Sequence, residues 1–244
     1  MKRNHAGFSL IELAIVLVVV TILIGGLAVP LSAQIQARRI AETQRTLENA
    51  RDAVLGYAMT HRVTTPPGTN RYLPCPDADG TGHETLNPTG TNCAQRRGGF
   101  PWADLGVAVD DAWGNRLFYA VLPEFSDRSA GFNQTDPTLP PVDPFEIETG
   151  NGTVGNVVFV IGSYGPNGRG ARSKTGTLIV SPKNTDLDEL ENLDINSNRF
   201  VSRSPSTAGT VGGEFDDLLV WISHPRLIQQ VCPSGSDCAP TPGP

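Results

Sequence analysis

Residues 1–30 read MKRNHAGFSLIELAIVLVVVTILIGGLAVP, and this stretch decides the architecture. From Phe8 to Pro30 nearly every side chain is apolar, yet Glu12 stands close to the start of the run. Leu13 through Leu31 is uncharged over about 19 residues, close to the ~20 that a helix needs to cross ~30 Å of hydrocarbon. Lys2 and Arg3 precede the run and Arg38 and Arg39 follow it, so flanking charge alone does not orient it. Small residues near Ala33 imitate a signal-peptidase site, but the length of the run and the pattern beyond it argue against a cleaved secretory signal.

Beyond the run the helix is predicted to continue. Ile40, Thr43, Leu47, Ala50, Val54 and Tyr57 recur every three or four residues and form one apolar stripe, with Arg45, Glu48, Arg51 and Asp52 largely off it. No proline interrupts between Leu31 and Val63, and Pro66-Pro67-Gly68 ends the pattern. A helix over about 9–60 would be roughly 75 Å long, apolar all round in its first half and amphipathic in its second. Pro30, at the junction, is expected to kink or loosen it.

The whole chain has a net charge of −6 and 39% hydrophobic residues, so a nucleic-acid partner gains nothing from bulk electrostatics and is not expected. Its apolar residues are concentrated at the N-terminus. The rest is rich in Gly (26) and Pro (20), which implies many turns.

Ala6-Gly7-Phe8-Ser9-Leu10-Ile11-Glu12-Leu13 resembles the processing site of type IV pilins and type II secretion pseudopilins. In that family a membrane peptidase removes a basic leader after the glycine, and the new N-terminal residue is methylated. The resemblance therefore implies cleavage between Gly7 and Phe8, N-methylation of Phe8, and an assembly role for Glu12. Thr21 departs from the family's frequent glycine, and Pro30 lies one residue beyond the usual proline. The partners implied are other pilin or pseudopilin subunits, the prepilin peptidase and an inner-membrane assembly platform. The implied location is the inner membrane in single-pass form, with the C-terminal domain in the periplasm, and then a filament.

After Pro67, residues 117–122, 156–161, 177–180 and 218–222 read as strands, and Asp127 to Thr153 reads as a long proline-limited loop. The fold class expected is α+β, with the long helix packed on a small antiparallel sheet. Asp111-Ala112-Trp113-Gly114-Asn115 is similar to the strand entry of major pseudopilins, with Ala112 in place of proline. Ser163-Tyr164-Gly165-Pro166-Asn167-Gly168 resembles that branch's S-x-G-x-D-G loop, and Phe215 to Trp221 its last strand entry. The organisation expected is a leader over 1–7, a transmembrane and filament-core helix over 8–31 and an amphipathic helix over 32–63. A pilin-like domain follows over 64–231, and a Cys- and Pro-rich tail over 232–244.

Four cysteines fall in two local pairs, Cys75 with Cys93 and Cys232 with Cys238. Four cysteines allow three connectivities, of which local disulfides are the economical one in an exported domain. Zinc is disfavoured by the absence of C-x-x-C and by His83 being the only nearby histidine. Major pseudopilins bind calcium in the loop after the Trp-Gly-Asn strand, and the resemblance extends this to Asn167, Glu214, Asp216 and Asp217, with asparagine supplying less charge than the family's aspartate. Asp77-Ala78-Asp79-Gly80 has half the look of a calcium loop and reads as a turn. Gly168 to Thr175 imitates a phosphate loop but has Ser173 where glycine precedes the lysine. No nucleophile, general base or metal-binding histidine set emerges, so no catalytic residue is assigned and an enzyme is not expected. The expected role is a structural subunit of a pilus or pseudopilus. The alternative is a low-abundance minor pilin that binds a surface, DNA or an exported substrate at the filament tip, through loops such as Leu86–Gly99.

Overall fold

The computed structural model describes residues 9–63, 70–134 and 143–238, without the side chains of 24–30. The chain forms two compact units, with the boundary between Ala41 and Glu42. One helix, α1 (Leu10–Thr60), contributes to both and runs without a break through position 30.

In the first unit the described side chains of α1 from Leu10 to Leu23 are exposed, Leu10 at 90% and Ile22 at 68%. Among the described residues no helix is long and apolar enough to cross a membrane. The described side chains stop at Leu23 and resume at Leu31, so about a third of the expected 8–31 span, Phe8 and 24–30, falls outside them.

In the second unit the same helix changes role. Leu47, Ala50, Val54 and Ala58 are fully buried and belong to one hydrophobic cluster with Tyr119, Phe159 and Ile161. Their spacing of three and four residues is what puts them on one face. Burying a side chain such as Leu47 contributes roughly 1.5–3 kcal/mol. Thr43 is polar but equally buried, and its Oγ1 accepts from the Ala112 N–H at 3.1 Å.

The sheet has six strands: β1 (Arg97–Gly99), β2 (Phe118–Val121), β3 (Phe145–Thr149), β4 (Gly152–Ser163), β5 (Arg199–Ser202) and β6 (Leu218–Ser223). β4 is its hub, pairing antiparallel with β2, β3 and β6. β1 extends β2 antiparallel, whereas β5 runs parallel to β3. The sheet is thus mixed, not wholly antiparallel as expected. The cause is the long connection after β4, which carries the helix α4 (Leu187–Leu193) and brings β5 back alongside β3 in the same direction.

Two sequence readings are corrected. Residues 177–180 are not a strand: only the bridge Arg172↔Leu178 forms, and Leu178 and Val180 are largely exposed. β-branched content there does not compensate for the lack of a face to bury. The expected loop 127–153 contains β3, in which Phe145 and Ile147 are buried and Glu146 and Glu148 are exposed. Gly150-Asn151 then turns the chain into β4, a hairpin signal of the usual chemistry. Among the described residues the unit has three further short helices: α2 (Trp102–Leu105), α3 (Pro123–Ser126) and α5 (His224–Val231).

Candidate functional site

The N-terminal site begins at Ser9, because Gly7 and Phe8, the expected cleavage pair, lie outside the described residues. Ser9 and Glu12 cap the start of α1 reciprocally. The Ser9 Oγ accepts from the Glu12 N–H at 3.3 Å, and Glu12 Oε2 accepts from the Ser9 N–H at 3.4 Å. This is a capping box, S-x-x-E, and the four letters could have been read from the sequence as such. Glu12 therefore has a local partner in the Ser9 N–H. The Thr21 hydroxyl donates back to the carbonyls of Leu17 and Val18, so it is satisfied within the helix.

In the second unit the two motifs after the helix meet. The Asp111 carboxylate organises the turn that opens β2: Oδ1 accepts from the N–H groups of Trp113 and Asn115, both at 2.9 Å. Its Oδ2 accepts from the Ser163 Oγ at 2.6 Å, and Asn115 Nδ2 donates to the Gly165 carbonyl at 3.1 Å. The strand-entry turn and the Ser163–Gly168 loop are thereby tied side by side. Burial pushes the Asp111 carboxyl up, and these hydrogen bonds oppose the shift. Glycine is required at 165: φ is +61°, and a Cβ would stand 2.2 Å from the Asp216 carbonyl oxygen.

That close approach sets Asn167 against Asp216. The Asn167 N–H donates to Asp216 Oδ2 at 3.2 Å, and its Nδ2 donates to Glu189 Oε1 at 2.7 Å. Glu189, Asp216 and Asp217 each bring a carboxylate oxygen within 4.8 Å of the others. Asp217 is buried and accepts from Asn192 Nδ2 at 2.8 Å. Asp216 Oδ1 and Glu189 Oε2 are both buried without a hydrogen-bond partner. Burial, with the Glu189 carboxylate beside it, pushes the Asp216 carboxyl up to about 7, and burial also raises Asp217. Buried acceptors left bare among like charges suit a hard cation, which prefers several oxygen ligands.

Of the expected residues, Asp216 and Asp217 lie in this cluster and Asn167 borders it. Glu214 does not join the cluster, because Arg169 Nη1 holds it at 2.8 Å and Lys183 lies 4.0 Å away. Glu189 takes its place. Its approach depends on which face of α4 looks inward, which no local pattern in the sequence gives.

Cys75 pairs with Cys93 and Cys232 with Cys238, at Cα–Cα distances of 5.2 and 5.3 Å. Asp77 to Gly80 is a turn in which Asp77 Oδ1 accepts from the N–H groups of Asp79 and Gly80. The Gly168–Thr175 segment is followed by turn, not helix, so it lacks the helix N-terminus that a phosphate loop needs.

Neither a curated relative nor a solved structure matches the chain. One family model does, the prokaryotic N-terminal methylation motif, over residues 2–28. The chain therefore carries, at its N-terminus, the hallmark of the type IV pilins and pseudopilins.

Proposed function

We propose that the protein is a structural subunit of a type IV pilus-like or type II secretion pseudopilus filament, processed between Gly7 and Phe8 and drawn from the inner membrane into the filament. The observation that carries this reading is a coincidence of place: the methylation motif spans the segment in which α1 leaves its apolar side chains from Leu10 to Leu23 exposed. Side chains of this kind in water would cost roughly 25 cal/mol for each Å² left uncovered, so they need lipid first and neighbouring subunits afterwards. Removing residues 1–7 strips Lys2 and Arg3 and creates a cationic amine at Phe8, about one helical turn from Glu12. A carboxylate in hydrocarbon costs on the order of 3 kcal/mol on insertion scales, and that amine, from the same or a neighbouring chain, is its natural counterion. The disulfides fit a domain outside the cytoplasm. Mass spectrometry of the chain from its native membrane tests the first step. The expected species lacks residues 1–7 and carries one methyl group on Phe8; a mature chain that retains Met1 to Gly7 overturns the reading.

The same reading gives the domain a divalent cation, calcium by the hardness of its donors. Glu189, Asp216 and Asp217 would hold it, with Asn167 fixing the Glu189 carboxylate. Its chemistry would be structural: it neutralises three crowded carboxylates and fastens α4 and the entry to β6 onto the Ser163–Gly168 loop.

A further inference from the structure

Beside the stacked rings of Phe118 and Phe200 lies a cavity of about 230 Å³, distinct from the N-terminal segment and not used by filament assembly in the reading above. Among its polar lining residues is Arg97, only 6% exposed. The guanidinium stacks on the Phe200 ring, 3.7 Å from its centroid. Nη1 donates to the Asp194 carbonyl and Nη2 to the Arg199 carbonyl, at 3.0 Å for the latter. Among the described residues Arg97 forms no ion pair, and its Nε–H has no acceptor. A buried cation is normally paired, because desolvation otherwise penalises the charge, and here burial lowers the Arg97 pKa to about 10.

Two more lining residues repeat the pattern. Arg116 Nε and Trp102 Nε1 are buried without acceptors. All three bare groups are N–H donors. The Tyr119 hydroxyl, also without a partner, belongs with Phe159 on the other face of the sheet. The wall does contain one acid, Asp77, but backbone N–H groups of Asp79, Gly80 and Gly82 occupy both its oxygens. Trp102, Phe118 and Tyr164 supply flat apolar walls, and the exposed Arg172 adds a further positive charge.

We infer that this cavity binds a small organic anion with a flat apolar body, a single ring bearing one carboxylate, its oxygens taking up the bare donors of Arg97 and Arg116 and its ring lying among Trp102, Phe118 and Tyr164. The size agrees: a dry cavity of about 150 Å³ holds benzene, so this one has room for the ring and its charged group. It is smaller than the ~300–1,000 Å³ typical of drug-sized ligands. Charge-assisted bonds to guanidinium groups are the strong kind, and they favour a carboxylate over a neutral group of equal size.

The test uses the full chain in detergent micelles with ¹⁵N-labelled indoles, titrated with benzoate, benzyl alcohol or acetate. Benzoate is expected to shift the Trp102 indole resonance saturably below about 10 mM, the range in which a ligand of this size first registers. Benzyl alcohol, lacking the charge, and acetate, lacking the ring, should each bind at least about tenfold more weakly. Leu178→Trp fills the cavity mouth from a position that is 64% exposed and should abolish the shift while leaving the fold intact. Arg116→Gln should weaken benzoate about tenfold and leave benzyl alcohol unchanged. The inference is overturned by no saturable shift with benzoate, by equal affinity for benzoate and benzyl alcohol, or by benzoate binding that survives Leu178→Trp.

Discussion

Within the single helix α1, two stretches of the same apolar residue types meet opposite fates. From Leu10 to Leu23 leucine, isoleucine and valine are exposed, whereas Leu47, Val54 and Leu55 lie in the core of the second unit. Propensity and hydropathy do not separate them. What separates them is periodicity: one stretch is apolar all round and stays exposed among the described residues, and the other confines its apolar groups to one stripe. A helix apolar on every side is specified for surroundings that the chain does not itself provide, either lipid or other helices.

Substitutions at matched residues sharpen this contrast. Leu47→Ala should destabilise the domain by about 2–5 kcal/mol, since it leaves a cavity in a closed core, while Leu17→Ala should change domain unfolding by less than about 0.5 kcal/mol. Denaturant unfolding of the full chain in micelles, followed by near-ultraviolet circular dichroism, measures both. Equal losses from the two variants would break the contrast.

The disulfides come next, and both belong to the second unit. In a chain-entropy model the sequence separations of 18 and 6 give about 3 kcal/mol for Cys75–Cys93 and about 2 kcal/mol for Cys232–Cys238. Replacing each pair by serine should lower the unfolding free energy in that order and leave membrane insertion of the N-terminal segment unchanged.

A smaller effect tests the carboxylate cluster. With the Asp216 carboxyl at about 7 in the folded chain and ~3.9 unfolded, the folded state holds more protons between these values, so the group's contribution falls as pH rises from about 4 to 7. The proposed calcium would compete with those protons. At ten times its dissociation constant it should raise stability by about 1.4 kcal/mol at pH 8 and by less at pH 5. Glu189→Gln should weaken the calcium effect more than Glu214→Gln, because Glu214 already serves Arg169. The reverse order would return Glu214 to the site.

Much of this was legible in the sequence, and unevenly so. The face of α1 from Thr43 to Val54 follows from spacing alone, as do β2, β6 and the core of β4, whereas Ile40, read on the same stripe, is exposed. β3 was legible too, since Phe145-Glu146-Ile147-Glu148 alternates strictly before Gly150-Asn151, but the prolines upstream obscured it. β5 has only four residues, and its parallel pairing depends on a long crossover that no local pattern encodes. At the carboxylate cluster, Asp216 and Asp217 were visible from the strand entry. Glu189 was not, because its role is fixed by the way α4 packs beside Asn167, a tertiary fact.

Glu12 tests the central claim most directly, because it joins the processing motif to the exposed helix. Its carboxylate contacts only the Ser9 N–H on its own described chain, at a long 3.4 Å. The measurement is the yield of sheared filaments from cells producing Glu12→Ala, alongside the amount of processed chain in the membrane. The account predicts normal cleavage, normal membrane level and loss of filaments. Filament yield equal to that of the unaltered chain would contradict it.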